Sequence, residues 1–250
     1  MSKQILQLES TVSFAKEAYG DIKTQTDYAL ITYCMATARL AEEIAHRLFR
    51  DMRGDMVPQD KNDIIESIVH AAVLSEIIAS ARKSFEHVAA ITNVQIASMV
   101  SALTRDFRLV ETKRDIEYRG RLSVSPLATQ IVAVAGIICS AKSATNFLHQ
   151  NKLAAVPKTR KILAQLDGDL LAIHATSRYY TLRLYSHAAR NLILDANQTI
   201  KKFKSDARNA RLVEKSTAGI RNRHAAKVSA TVEDTEETKR ARKNASKRNS

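Results

Sequence analysis

The sequence predicts an all-α fold, and three observations carry that prediction. Only 6 Gly and 3 Pro occur in 250 residues, too few for the turns a β architecture demands. Tryptophan is missing and aromatic residues make up 5%, so the core must be built from Ala, Leu, Ile and Val. Apolar side chains also recur three and four positions apart along most of the chain, the period of a helix with one buried face. With 45% hydrophobic residues, a sizeable core is available.

Residues 3–19 place Ile5, Leu8, Val12, Ala15 and Tyr19 on one face, and Gly20 is the expected stop. Residues 26–50 form a long helix with Leu30, Tyr33, Cys34, Thr37, Ala41, Ile44 and Leu48 inward. The segment 51–61 combines Gly54 with Pro58 and reads as a loop. Asn62 or Asp63 can cap a helix that ends near Ala81, by accepting an orphan backbone N–H. Ser84 can cap the next helix, through Val100. A basic stretch from Arg105 to Arg121 follows, with Asp106 and Glu111 on a charged, solvated surface rather than acting as an acid–base pair. Ser125-Pro126 opens an apolar helix that reaches Phe147. Pro157 and a change of composition near 151–159 suggest a boundary. Beyond it the pattern predicts a short helix over 159–166, an interruption at Gly168, and a long helix over 169–204. From Lys201 that helix loses its apolar face, and residues 226–250 read as a disordered tail. The expected organisation is a helical domain over 1–150, a basic helical extension over 151–225 and the tail over 226–250.

The order of words within residues 11–148 resembles the HD phosphohydrolase superfamily, and within it the (p)ppGpp-hydrolase type. Ala72-Val73-Leu74-Ser75-Glu76 stands where that family has ALLHD. Thr104-Arg105-Asp106-Phe107-Arg108-Leu109 stands for T-x-D-x-R-L. Ser125-Pro126-Leu127-Ala128-Thr129-Gln130-Ile131 leads into the helix that should read IKLADRxxN. The resemblance implies an HD-like helical bundle and a metal site of four ligands: an early histidine, the His-Asp pair and the late aspartate. Such ligands hold a divalent cation that lowers the pKa of a bound water.

Those ligands are not at the matching positions. The early histidine falls at Tyr33 or Cys34, the His-Asp pair becomes Ser75-Glu76, and the late aspartate falls at Ala135 or Gly136. No acidic residue lies between Glu117 and Asp167, so no shift of register restores it. The expectation is a degenerate pocket with no catalytic residue, no metal ligand set and no cofactor. Rebuilding a site from His70, Glu76 and His87 is disfavoured, because histidine near a carboxylate is common in helical proteins. The resemblance also places a basic segment beside a nucleotide pocket, so Arg105, Arg108 and Arg114 could hold a phosphate, and a nucleotide, without the metal.

Charge is the strongest signal. Residues 1–150 hold 17 Lys and Arg against 17 Asp and Glu, whereas 151–225 hold 15 against 5 and 226–250 hold 7 against 4. The whole net charge of +13 therefore lies in the last hundred residues, a polarity that suggests nucleic acid as partner. Lys201, Lys202, Lys204, Arg208, Arg211, Lys215, Arg221 and Arg223 are the candidate contacts, with Lys239, Arg240, Arg242, Lys243, Lys247 and Arg248 in the tail. Contacts of this kind are to phosphate, and so are sequence-independent and salt-sensitive. Tyr179, Tyr180 and Tyr185 interleave with Arg178, Arg183 and Arg190, a pattern that serves base stacking or ordinary packing.

The two cysteines, Cys34 and Cys139, form no CxxC, so a zinc site is not expected. The first twenty residues lack the form of a signal peptide, and the most apolar run, 127–139, is about half the length of a membrane span. These features suggest a cytoplasmic chain with no membrane partner. The function expected is that of an inactive HD-like protein that binds nucleic acid. A divergent metal-dependent nucleotide phosphohydrolase and a helical scaffold protein are the alternatives.

Overall fold

The computed structural model describes the backbone of residues 3–52 and 58–246, and the side chains of residues 8–52 and 60–214. Helices are the only extended elements among these residues: α1 (Lys3–Tyr19), α2 (Leu30–Asp51), α3 (Pro58–Val73), α4 (Phe85–Ile91), α5 (Val94–Leu103), α6 (Glu111–Val124), α7 (Leu127–Asn151), α8 (Val156–Thr176) and α9 (Tyr180–Ser246). A short 3-10 turn at Lys152–Ala155 joins α7 to α8. The fold is all-α.

The core sits where α2, α3 and α7 pack on one another, with α8 laid against α6 and α7. From α2 it takes Cys34, Ala38, Ala41, Ile44, Ala45 and Leu48, the face the spacing predicted except that Tyr33 is only partly covered. Alanine at three of these positions lets the helix axes approach closely. The middle of α7 is buried all round, from Thr129 to Ala135, which is why its apolar residues form a run instead of a stripe. The run Leu127–Thr176 is long and apolar enough to pass for a membrane span, contrary to the expectation from 127–139, and 56% of its most apolar window is buried inside the bundle.

α1 closes one side through Thr11, Ala15 and Tyr19. The Tyr19 hydroxyl donates to the Val73 carbonyl at 3.0 Å, and Gly20, at φ +46, ends the helix in the left-handed region. Several boundaries differ from those predicted. α3 starts at Pro58, a residue suited to a first helical turn, and stops at Val73, so that Ser75 and Glu76 lie in the turns that follow. The Ser75 hydroxyl donates to the Ala72 carbonyl at 2.9 Å, which draws the chain out of helical register. Ser84 caps α4 as expected, but Asn93 accepts from Ile96 N at 2.9 Å and opens a separate helix, α5.

α8 runs through Gly168 without a break, and the interruption comes at Ser177, whose backbone is extended. Gly168 serves a close approach instead: a Cβ there would run into the guanidinium of Arg119. The chain divides into one compact unit through Ile200 and a second from Lys201. The charge boundary near 151 and the structural boundary at 200 therefore do not coincide. In the first unit, α9 buries Leu182, Ala189, Ile193, Ala196 and Ile200. In the second, residues 226–246, expected to be disordered on their own, carry helical backbone. The segment has no Gly or Pro after Gly219 and is rich in Ala, Glu, Lys and Arg, all good helix formers.

Candidate functional site

The turn after α3, the start of α2 and the middle of α7 meet around a cavity of about 380 Å³. Tyr33, Ser75, Glu76 and Gly136 all line it, although they are far apart in sequence. Tyr33 donates to the Gly136 carbonyl at 3.2 Å and meets the Ser140 hydroxyl at 3.0 Å. Gly136 makes this approach possible, since a Cβ there would stand 3.3 Å from the Tyr33 hydroxyl. Cys34 lies behind this wall, its sulfur 4.0 Å from the Ser75 hydroxyl, and Ala135 is fully buried on the core side of α7. Neither lines the cavity.

Electrostatically this wall is neutral. Burial pushes the Glu76 carboxyl up, against a hydrogen bond from Ser80 and the more distant Arg105. Burial likewise raises the Tyr33 hydroxyl and pushes the Cys34 thiol up to about 12. Burial thus favours the protonated form of thiol, phenol and carboxyl alike, whereas a cation needs deprotonated donors.

The opposite wall comes from α6 and α8 and is charged. Arg105 donates to Asp115 at 2.6 Å and to Asp169 from its other terminal nitrogen, with its guanidinium 4.0 Å from the centre of the Tyr118 ring. Arg119 approaches the second oxygen of Asp169 at 3.2 Å. Asp169 is 3% exposed; burial raises its carboxyl, and the two guanidiniums oppose that shift. Lys161 pairs with Glu111 at 3.0 Å. Arg114 also lines the cavity, with its guanidinium 5.0 Å from the Phe107 ring centre.

Of the three arginines expected to hold phosphate, Arg105 is already committed to two carboxylates and Arg114 faces the cavity. Arg108 lies outside it, 90% exposed and paired with Asp106 at 2.8 Å. Sequence reasoning misses Asp169 and Lys161, because the pattern predicts a short helix interrupted at Gly168 and assigns both residues to the extension. The signal that could have found them is the lone acidic pair Asp167 and Asp169 in an otherwise basic region.

Among the described residues, no three His, Cys, Asp or Glu side chains come together in a way that could hold a metal ion. His70 is buried with Thr11 at 2.8 Å and Glu66 at 3.6 Å, while His87 bonds Ser84 at 2.9 Å. The donors around Ser75 do not fit a divalent cation, and no reaction step is derived through one.

On α9, Lys201, Lys202, Lys204, Arg208 and Arg211 are all exposed. Lys215, Arg221, Arg223, Lys239, Arg240, Arg242 and Lys243 lie on its helical backbone, but their side chains fall outside the described residues, as do Lys247 and Arg248 altogether. Tyr185 donates to Glu43 at 3.0 Å and lies under Arg47, so this tyrosine packs on α2, whereas Tyr180 is exposed.

No family model and no curated protein matches the sequence. Among solved structures, the chain is similar to one described as a metazoan ortholog of SpoT that hydrolyses ppGpp. The TM-score is 0.53 at 10% identity, over 73% of this chain and 93% of that one. Identity that low speaks to architecture alone. The chain shares the all-α, HD-like helical architecture of that structure.

Proposed function

We propose that this protein is a catalytically inactive relative of HD-type hydrolases that binds nucleic acid through the basic surface of α9. The observation that carries the reading is the partition of charge: none in excess over residues 1–150, and all +13 beyond them. On the described part of the second unit, five cations over 201–214 face solvent against Asp206 and Glu214. Phosphate contacts need no fold-specific pocket, only a row of accessible cations. Inactivity is supported by the donor set around Ser75, where hydroxyls and a thiol stand in place of imidazole and burial disfavours the charged form of the Glu76 carboxyl.

The test is titration of duplex DNA and single-stranded RNA with the full chain over a range of salt, beside a variant with Lys201, Lys202, Lys204, Arg208 and Arg211 changed to Gln. The variant should bind far more weakly on both, with little sequence preference. On duplex DNA the log–log salt slope should fall by about 0.9 for every phosphate that the variant no longer neutralises. Equal affinity and equal slope for the two proteins would remove the proposal. Metal analysis of the purified chain, with assays on ppGpp and deoxynucleotides, tests inactivity separately; stoichiometric metal lost on Glu76→Ala would point to the metal-dependent phosphohydrolase instead.

A further inference from the structure

Most of the Lys, Arg, Asp and Glu side chains lining the central cavity are paired; Arg114, Lys23 and Glu76, whose carboxyl meets the Ser80 hydroxyl, are left over. Arg105 is matched by Asp115 and Asp169, and Lys161 by Glu111. Arg114 has only Asp115 at 4.0 Å, a carboxylate already taken by Arg105. Its Nε is cut off from solvent and has no hydrogen-bond partner, and a buried donor left unmade is costly. Lys23, at the rim, has no carboxylate within ion-pairing distance among the described residues. Between these cations and the far wall stand hydroxyls from Thr24, Thr26, Ser140 and Ser143 and the amide of Gln165, interleaved with Leu30, Val132 and Ile137.

We infer that this cavity is a receptor site for a small organic anion, bound without a metal ion, whose anionic group pairs with Arg114 and whose uncharged end meets Tyr33 and Ser140. A guanidinium presents parallel N–H groups that match a carboxylate or phosphate, and with Nε shut off it is the terminal nitrogens of Arg114 that a ligand in the cavity would meet. Of the lining carboxyls, Glu111 and Asp169 are both paired with cations, and burial favours the neutral form of Glu76, so a cationic ligand is poorly matched. A wholly apolar ligand would leave the Arg114 guanidinium without a counter-charge of its own. The volume, about 380 Å³, is at the lower end for ligand pockets, and holds a metabolite rather than a polymer strand. The site is therefore independent of the nucleic-acid reading of α9.

The experiment is a melting and calorimetric titration of the full chain with glycerol 3-phosphate, succinate and inorganic phosphate, against chloride at equal ionic strength. At least one of the two organic anions should raise the melting temperature. Arg114→Gln should weaken its binding at least tenfold, while Arg39→Gln, at an exposed residue that does not line the cavity, leaves it unchanged. Should Arg114→Gln fail to fold, Ser140→Leu, which fills the uncharged end, should weaken the organic anion tenfold and spare inorganic phosphate. A response to glycerol 3-phosphate alone assigns a phosphate ester, and to succinate alone a carboxylate. No response beyond chloride would mean that water alone satisfies Arg114. A response that survives Arg114→Gln, or one to inorganic phosphate only, would equally overturn the inference.

Discussion

The two walls of the central cavity are built on opposite principles. The wall from α2, α7 and the turn after α3 carries Tyr33, Ser75, Glu76 and Gly136 without an ion pair: Tyr33 bonds Gly136 and Ser140 at 3.2 and 3.0 Å, and Ser80 bonds Glu76 at 3.1 Å. The wall from α6, α8 and the loop before α6 carries Arg105 and Asp169, backed by Asp115 and Arg119, each with at least one charged partner. One cavity can thus combine a wall without ion pairs and a wall built from them. Burial without a counter-charge favours neutral forms, and on the first wall it raises the Glu76 carboxyl. On the second wall the guanidiniums of Arg105 and Arg119 oppose the same effect at Asp169.

That difference predicts very unequal responses to substitution. Asp169→Ala should have the largest effect. It removes the one carboxylate shared by Arg105 and Arg119 and leaves two guanidiniums with buried faces short of a partner, so a loss of about 3 kcal/mol or more is expected. Denaturant unfolding of the full chain measures it. A loss no larger than that of a surface substitution would show that Asp115 alone holds Arg105.

On the neutral wall, Tyr33→Phe keeps the ring and deletes the hydroxyl bonded to Gly136 and Ser140. The expected cost is about 1 kcal/mol, the net worth of an ordinary hydrogen bond. Glu76→Gln goes the other way. Because burial raises the Glu76 carboxyl above its usual 4.5, the folded state holds the proton more tightly than the unfolded one. That contribution is complete below the unfolded pKa and is lost as pH rises through the folded value. Glutamine keeps the acceptor for Ser80 and never ionises. The variant should match the parent near pH 4 and exceed it near pH 8, as read from unfolding curves at both values. A parent that gains on the variant as pH rises would mean Glu76 is ionised and paired.

How far the sequence reveals each wall follows from the same contrast. The neutral wall is legible because Tyr33, Ser75 and Gly136 stand where the resemblance to HD phosphohydrolases implies the ligands of one pocket, and it is that resemblance that implies their meeting. The charged wall is not, because Asp169 reaches Arg105 across 64 positions of sequence from a helix whose pattern suggests a break at Gly168. A glycine in mid-helix signals a breaker or a close approach with equal force, and only the position of Arg119 distinguishes them. The division of α4 from α5 escapes the pattern for a local reason: Asn93 is both a tolerable helix residue and a good cap. The cationic surface of α9 is visible in composition alone, and its exposed part, Lys201 to Arg211, needs no tertiary context.

The smallest effect belongs to Arg108, and it sharpens the comparison most closely because Arg105 stands three residues before it in the same motif. Both arginines are paired with aspartate, and both were expected to face phosphate. Arg105 is 16% exposed and stacked on Tyr118, whereas Arg108 is 90% exposed. The Asp106 carboxyl is held down at about 2 by the Arg108 guanidinium, so their pairing is real at neutral pH. Its contribution is present above the ordinary carboxylate range and is lost only as pH falls toward that value. Water screens an exposed pair almost completely. Arg108→Ala should therefore leave both the melting temperature at neutral pH and any anion response of the cavity unchanged within error, while Arg105→Ala disturbs both. An anion response that falls with Arg108→Ala would place the ligand outside the cavity, on the surface of the loop before α6.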